Sequence, residues 1–153
     1  MNTEITFQKA LLNDNDLNIF ISLQNSVADP KTYTQGYVSK RMAICRFKKS
    51  FVYFIKEGDV TVGVIEYQDK RFFRRYAYIF GFVIAPNYQN RGIGHRALSL
   101  FIENHLKDFR IVKLGTHQEN KALNLYKSLG FIIYGEREGR TPNEIYYLLI
   151  FKR

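Results

Sequence analysis

PNYQNRGIGHR, residues 86–96, decides the fold, because a β-rich run ends just before it and a helical pattern starts inside it. The run YAYIFGFVIA at 76–85 precedes it, and apolar residues then recur every four positions from Ile93 to about Lys107. Gly92 and Gly94 lack Cβ atoms, so a ligand could approach the backbone N–H groups that open the helix. Partial positive charge at a helix N-terminus favours phosphate oxygens. The stretch therefore predicts a turn that holds a pyrophosphate, with a tight connection without ligand as the alternative.

Two common nucleotide motifs do not fit this turn. No G-K-[ST] follows the glycines, so a P-loop is excluded. The third glycine of a dinucleotide-binding fingerprint is also missing, because position 97 is alanine. The common nucleotide-binding motifs therefore do not identify the ligand of this turn.

The elements around the turn predict an α/β fold with a mixed sheet. FVYFI, VTVGVIEY and YAYIFGFVIA form an antiparallel meander, and RIVKLGTH follows the helix as a strand parallel to the last of them. We expect one helix after Asn13 or Asp14 and a second from about Thr32 to Phe47. A short helix ends at about Leu129, with Gly130 as its left-handed cap. With strands at both ends, the predicted order is β-α-α-β-β-β-α-β-α-β-β, about seven strands and four helices.

Length and composition predict a single domain over residues 1–153. Lys and Arg outnumber Asp and Glu by 23 to 14, and the resulting charge of +9 favours an anionic partner such as nucleic acid, an acidic membrane surface or a phosphorylated cofactor. The longest apolar run is shorter than the ~18 residues of a membrane span, and the N-terminal residues do not read as a signal peptide. We therefore expect a cytoplasmic protein with no membrane partner.

Metal chemistry is not expected. Cys45 is the only cysteine, and the three histidines, His95, His105 and His117, do not have metal-ligand spacing. Neither a disulfide within the chain nor a cysteine-based zinc cluster can form. We expect no metal cofactor.

The longer string VIAPNYQNRGIG resembles the acetyl-CoA signature of the GNAT N-acetyltransferase superfamily, Q/R-x-x-G-x-G/A, through Gln89, Gly92 and Gly94. The segment ALNLYKSLGF at 122–131 is similar to the second recurring segment of that family, and the element order matches its fold. The resemblance implies acetyl-CoA as co-substrate. It also implies direct transfer of the acetyl group to a primary amine, without a covalent enzyme intermediate.

The resemblance also implies which residues bind the cofactor. The turn would hold the CoA pyrophosphate, while the pantetheine arm would pair with the strand before it. Asn120 is carried over with a departure, because relatives have asparagine seven residues before the tyrosine of the second segment, and here Glu119 stands there. Gly81 inside the strand predicts a bulge or a close approach, with ordinary packing as the alternative. The predicted cofactor residues are Phe82, Val83, Ile84, Gln89, Asn90, Arg91, Gly92, Ile93, Gly94, His95 and Asn120.

The predicted catalytic residues are Tyr126, Glu66 and His117. Tyr126 matches the family tyrosine that donates a proton to the departing sulfur; a core tyrosine is the alternative. Many relatives place a glutamate base on the strand before the turn, but residues 76–85 contain no acid. Glu66 and His117 are the remaining candidates for the base. Glu66 could face a pocket or water, and His117 could instead be an exposed histidine at a strand end.

The acceptor amine is left unnamed. In the family, the first two helices and their loop shape its pocket, and this loop carries Tyr33 and Tyr37. The charge of +9 disfavours polyamines against small amines, amino acids or a protein N-terminus. A non-catalytic acyl-CoA-binding module is one alternative function. A nucleic-acid-binding protein that uses DKRFFRR at 69–75 is another alternative function. A homodimer is also compatible with the sequence.

Overall fold

The computed structural model describes residues 3–28, 37–70, 72, 75–139 and 142–153. Seven strands and four α-helices lie in these ranges, in the predicted order, and a short 3₁₀ turn at Pro86–Tyr88 leads from the fourth strand into the glycine-rich turn. The predicted fold class is confirmed. The elements are β1 Ile5–Lys9, α1 Asp14–Ser26, α2 Lys40–Lys49, β2 Phe51–Glu57, β3 Val60–Asp69, β4 Tyr76–Ile84, α3 Ile93–Asn104, β5 Ile111–His117, α4 Leu123–Ser128, β6 Ile132–Glu138 and β7 Ile145–Lys152.

All seven strands form one mixed sheet in the order β1-β2-β3-β4-β5-β7-β6. Neighbouring strands are antiparallel except β4 and β5, which are parallel and joined through α3. This single parallel pair confirms the predicted β-α-β unit. The glycine-rich turn therefore lies where β4 ends, in the middle of the sheet.

The parallel pair separates before either strand ends. β4 and β5 pair only from Tyr76 opposite Ile111 to Ile79 opposite Leu114, although both strands continue beyond that point. On its other side β4 stays paired with β3, where Glu66 faces Gly81 and Tyr67 faces Ile79. One residue of β4 is thus unopposed, which is the predicted bulge, and a bulge bends its strand. A gap opens in the sheet between β4 and β5.

Helices cover both faces of the sheet and bury two apolar clusters. The larger cluster lies under α3 and α4 and includes Ile65, Leu98 and Phe101. The smaller lies under α1 and α2 and includes Phe20 and Val64. Burial of apolar surface, at about 25 cal/mol per Å², holds the helices against the sheet around the gap.

Local signals set the helix ends. The Asn13 side chain accepts the Asp16 N–H at 2.8 Å and begins α1, as predicted. Gly130, with φ +101, follows α4 in the predicted cap position. The second helix differs, since Ser39 caps it and it runs over Lys40–Lys49. The start predicted near Thr32 lies outside the described residues.

Candidate active site

The turn after β4 presents a row of unused backbone donors. Asn90 and Gly92 have positive φ values of 61 and 76, and the first hydrogen bond of α3 runs from the Arg96 N–H to the Gly92 carbonyl at 3.1 Å. Within the described residues, no N–H from Asn90 to His95 donates to a protein group. These donors open a helix of 12 residues, so the macrodipole adds to them. The arrangement suits a pyrophosphate.

An open groove of about 560 Å³ runs along β4 and over this turn. Gly94 sits where α3 approaches α4, and a Cβ there would lie 3.0 Å from Leu125 Cδ1. The Gln89 side chain donates to the Ile84 carbonyl at 2.8 Å and fastens the turn to the end of β4. The predicted cofactor residues that line the groove are Phe82, Val83, Ile84, Gln89, Asn90, Gly92, Gly94, His95 and Asn120.

Two predicted cofactor residues do not line this groove. Ile93 is 1% exposed and its side chain packs in the core. Only its backbone N–H belongs to the row of donors in the turn. The Arg91 guanidinium is exposed and lies 5.6 Å from the centre of the Tyr88 ring. Roles for both in CoA binding stay predictions, with the Ile93 role confined to its main chain.

A second, smaller cavity of about 130 Å³ occupies the gap between β4 and β5. Phe82, Val83 and Asn120 line both this cavity and the groove, so the two spaces meet at these residues. Tyr126 and His117 also line the small cavity. A ligand extending down the groove and a second ligand in the cavity would therefore meet beside Tyr126.

Tyr126 lies on α4 and is 6% exposed. Its ring meets Phe131 edge-to-face, with the ring centres 6.0 Å apart. The side chain is thus both part of the core and part of the cavity wall. The predicted role as proton donor stays a prediction, in a position that reaches the junction of the two spaces.

Glu66 is fully buried on β3 and paired with Arg46 of α2. Its Oε2 accepts the Arg46 Nε–H at 3.2 Å, and its Oε1 accepts from Nη2. The guanidinium lies 5.0 Å from the ring centres of both Phe20 and Phe80. A Cβ on Gly81 would lie 2.5 Å from Glu66 Oε1, so the glycine in β4 makes room for this carboxylate. Both carboxylate oxygens are engaged by the guanidinium.

His117 is 4% exposed, so the expectation of an exposed strand-end histidine is wrong. Its Nδ1 accepts the Glu119 N–H at 3.1 Å, and its Nε2 lies 3.1 Å from Glu144 Oε1. Because Nδ1 acts as an acceptor, the proton of a neutral ring belongs on Nε2, where it donates to Glu144. Both ring nitrogens therefore have protein partners.

Several polar residues of the small cavity were not predicted from sequence. Burial raises the pKa of Tyr78, an effect that the nearby Arg137 charge opposes, so the Tyr78 hydroxyl stays protonated at neutral pH. The position of Arg46 could have been found from helical spacing, because it lies three residues after Ala43, the buried residue of α2, and so on the same face of the helix. The unpredicted polar lining residues are Gln24, Arg46, Tyr78, Thr116, Arg137 and Tyr146.

Other expected binding segments contribute little to these two spaces. Tyr37 is 73% exposed and lines neither of them, while Tyr33 lies outside the described residues. In DKRFFRR, the structure does not describe Arg71, Phe73 and Arg74. Phe72 of the same segment is 90% exposed. Across the described ranges, no helix is long and apolar enough to cross a membrane. The same ranges hold no group of three or more His, Cys, Asp or Glu residues arranged for a metal ion.

The fold is similar to that of several solved structures, two of which are acetyltransferases. A Streptococcus mutans protein superimposes with a TM-score of 0.80 at 20% identity, over 96% of this chain and 98% of the other. The Escherichia coli ribosomal-protein-S18-alanine N-acetyltransferase superimposes with a TM-score of 0.72 at 19% identity, over 97% of this chain and 94% of the other. An Elizabethkingia anophelis GNAT family acetyltransferase with acetyl-CoA bound superimposes with a TM-score of 0.71 at 21% identity, over 97% of this chain and 98% of the other.

In sequence, no protein of curated function matches the chain. The model of the acetyltransferase (GNAT) family does match it, over residues 20–131. This range contains the groove, the glycine-rich turn and Tyr126. The chain therefore belongs to the acetyltransferase (GNAT) family.

Proposed function

We propose that this protein is an N-acetyltransferase that moves an acetyl group from acetyl-CoA to a primary amine by direct attack. The observation that carries the proposal is the junction of the two spaces at Phe82, Val83 and Asn120. An acetyl-CoA with its pyrophosphate on the turn and its arm along β4 would bring the thioester to this junction. An amine in the small cavity would then lie beside the thioester carbonyl.

The edge of β4 supports this placement of the pantetheine arm. Beyond Ile79 the strand has no partner on its β5 side, while the gap leaves room for an extended ligand. A strand edge binds an extended partner through main-chain hydrogen bonds. The Gln89 side chain already occupies the Ile84 carbonyl, so we expect the arm to bond with the strand before that residue.

In the proposed reaction, the amine nitrogen attacks the thioester carbonyl carbon and forms the C–N bond. Collapse of the tetrahedral intermediate breaks the C–S bond, and Tyr126 donates its hydroxyl proton to the departing thiolate. A neutral thiol is the better leaving group, so general-acid assistance speeds this step. Solvent then returns a proton to the phenolate. No bond forms between the acetyl group and the protein.

The amine must also lose a proton, and the candidate bases are both engaged. Glu66 would have to release Arg46, and His117 would have to release the Glu119 N–H, before either could accept it. We infer that water in the small cavity takes the proton first. Glu66 and His117 would then accept this proton from water only when their present contacts open.

The test combines acetyl-CoA binding with turnover over a panel of primary amines, followed by release of the CoA thiol. We expect saturable acetyl-CoA binding and amine-dependent thiol release. Tight acetyl-CoA binding without turnover of any amine would favour an acyl-CoA-binding module instead. Salt-sensitive nucleic-acid binding that acetyl-CoA does not displace would favour the basic-surface alternative.

A further inference from the structure

The small cavity offers hydrogen-bond donors and charge of one sign. Two guanidinium groups, from Arg46 and Arg137, line it, and no carboxylate does so among the described residues. Two acids that contact its lining residues are engaged, Glu66 with Arg46 and Glu144 with His117. A ligand that carries negative charge would therefore meet the Arg137 guanidinium and, among the described lining residues, no carboxylate.

Two further lining residues have buried polar atoms without a partner. Gln24 is 7% exposed and Thr116 is 4% exposed. Neither Gln24 Nε2 nor Thr116 Oγ1 makes a hydrogen bond within the protein. A buried donor without a partner is unfavourable, because it has left water without gaining a new hydrogen bond. An amide N–H₂ can only donate, so the partner that would satisfy Gln24 is an acceptor. A carboxylate in the cavity would supply such an acceptor.

Arg137 is an exposed residue at the end of a row of side chains that crosses three strands. His117 on β5 is opposite Tyr146 on β7, which is opposite Arg137 on β6. The Tyr146 ring meets His117 edge-to-face, with centres 5.4 Å apart, and the Arg137 guanidinium lies 5.1 Å from that ring. Among the described residues Arg137 has no carboxylate partner. Its planar guanidinium can bind a carboxylate through two parallel hydrogen bonds.

We propose that the acceptor is a small amine carrying a carboxylate, such as an amino acid, and that Arg137 and the buried donors of the small cavity bind this carboxylate. The inference rests on the proposed N-acetyltransferase function. The cavity volume of about 130 Å³ favours such a compact ligand. A protein N-terminus has no carboxylate beside its amine, and a polyamine would bring more positive charge toward two arginines.

The test uses matched acceptors: an amino acid, the carboxamide of the same amino acid, and the amine left when its carboxylate is removed. Hydrogen bonds to charged groups contribute about 1.5–3 kcal/mol, so we expect kcat/KM to favour the carboxylate by roughly 10- to 100-fold. Arg137→Gln should remove most of this preference, measured as the ratio of kcat/KM for the amino acid to kcat/KM for the decarboxylated amine. Arg137→Lys, which keeps the charge but not the planar guanidinium, should retain part of it. Arg41→Gln, at an exposed position on α2, is the matched control.

A binding measurement separates failure of this inference from failure of the proposed function. Calorimetry with the CoA-loaded protein compares an N-acetyl amino acid with the matching N-acetyl amine, for the unaltered chain and Arg137→Gln. Carboxylate-selective binding that depends on Arg137 supports the inference even if no amine turns over. Turnover of amines with no carboxylate preference overturns the inference and leaves the function standing. Preference for a phosphorylated amine, or no selective binding at all, also overturns it.

Discussion

Glu66 occupies a position that explains three sequence features together. Its carboxylate accounts for the glycine at position 81, for the buried arginine at position 46 and for an acid inside an apolar strand. The sequence suggested a bulge from Gly81 and a base from Glu66, but it could not connect them. The register of β3 against β4 places Gly81 opposite Glu66, and Arg46 reaches the carboxylate from α2, which no local pattern reveals.

We predict that Glu66→Ala lowers the free energy of unfolding by about 3–5 kcal/mol, because it leaves the Arg46 charge buried without its carboxylate. Urea denaturation measures this loss. The double variant Arg46→Met with Glu66→Leu removes both charges and should regain much of the stability. If Glu66→Ala is as stable as the unaltered protein yet loses the ascending limb of its pH–rate profile, Glu66 is a base and not a structural partner.

Tyr126→Phe should lower the rate of the chemical step by about 100-fold or more, since a positioned general acid contributes about 10²–10⁴-fold. Acetyl-CoA affinity should stay the same, because the ring keeps its packing against Phe131. Rapid-quench measurement of the first turnover isolates this step. Tyr134→Phe, at an exposed position on β6, serves as control. An unchanged first-turnover rate in Tyr126→Phe would remove the proton-donor role.

At the level of elements, the turn between β4 and α3 was the part most open to prediction. Its glycines act differently: Gly92 provides a left-handed backbone, and Gly94 provides space for Leu125. The sequence indicated both positions, because they lie where a β-rich run gives way to a helical pattern. The side-chain fastening from Gln89 to Ile84 was not predictable, since it depends on how the turn folds back.

We predict that Gly92→Ala weakens acetyl-CoA binding and costs roughly 1–2 kcal/mol of stability, because φ +76 strains a residue with a Cβ. A Cβ at this position meets no atom within 4 Å, so the effect is one of backbone conformation. Gly92→Asn is the matched control, since asparagine tolerates the left-handed region. Calorimetric titration and thermal unfolding measure both effects. Equal losses in the two variants would mean that backbone strain is not the cause.

The C-terminal end of α3 carries a pH dependence. His105 stacks on Phe101, with ring centres 4.7 Å apart, and burial lowers its pKa below the ordinary value of 6.5. As the pH falls below 6.5, the unfolded chain binds a proton there more readily than the folded one, so stability decreases. Above that pH the contribution is fully present. His105→Phe should therefore lose less unfolding free energy than the unaltered protein as the pH falls from about 7.5 to about 5.5, a range centred on the ordinary histidine pKa. The same dependence of unfolding free energy on pH in both proteins would contradict this.

At the scale of the whole molecule, element order and the parallel pair could be predicted, whereas the gap could not. Hydrophobic periodicity identifies strands and helices one at a time, but the gap arises because β4 and β5 pair over only part of their lengths. The unpredicted residues of the small cavity come from helices and strands that this gap brings together, such as Gln24 and Arg137. They are distant in the sequence and share no motif.

At the scale of the whole molecule, the proposed function places the meeting of two ligands where the sheet opens between β4 and β5. The cofactor groove and the small cavity share a wall, while the helices on both faces hold that wall in place. This arrangement supports the proposed direct transfer, because an amine in the small cavity would lie next to the thioester without an intermediate carrier.

A single-turnover experiment tests this central claim most directly. Protein loaded with less than one equivalent of acetyl-CoA is mixed with an amino acid, and both the CoA thiol and the N-acetyl product are followed over time. The account predicts that the two appear together at one rate, and only when the amine is present. Thiol release without amine, leaving an acetylated protein, or stable acetyl-CoA binding with no transfer to any amine, would contradict it.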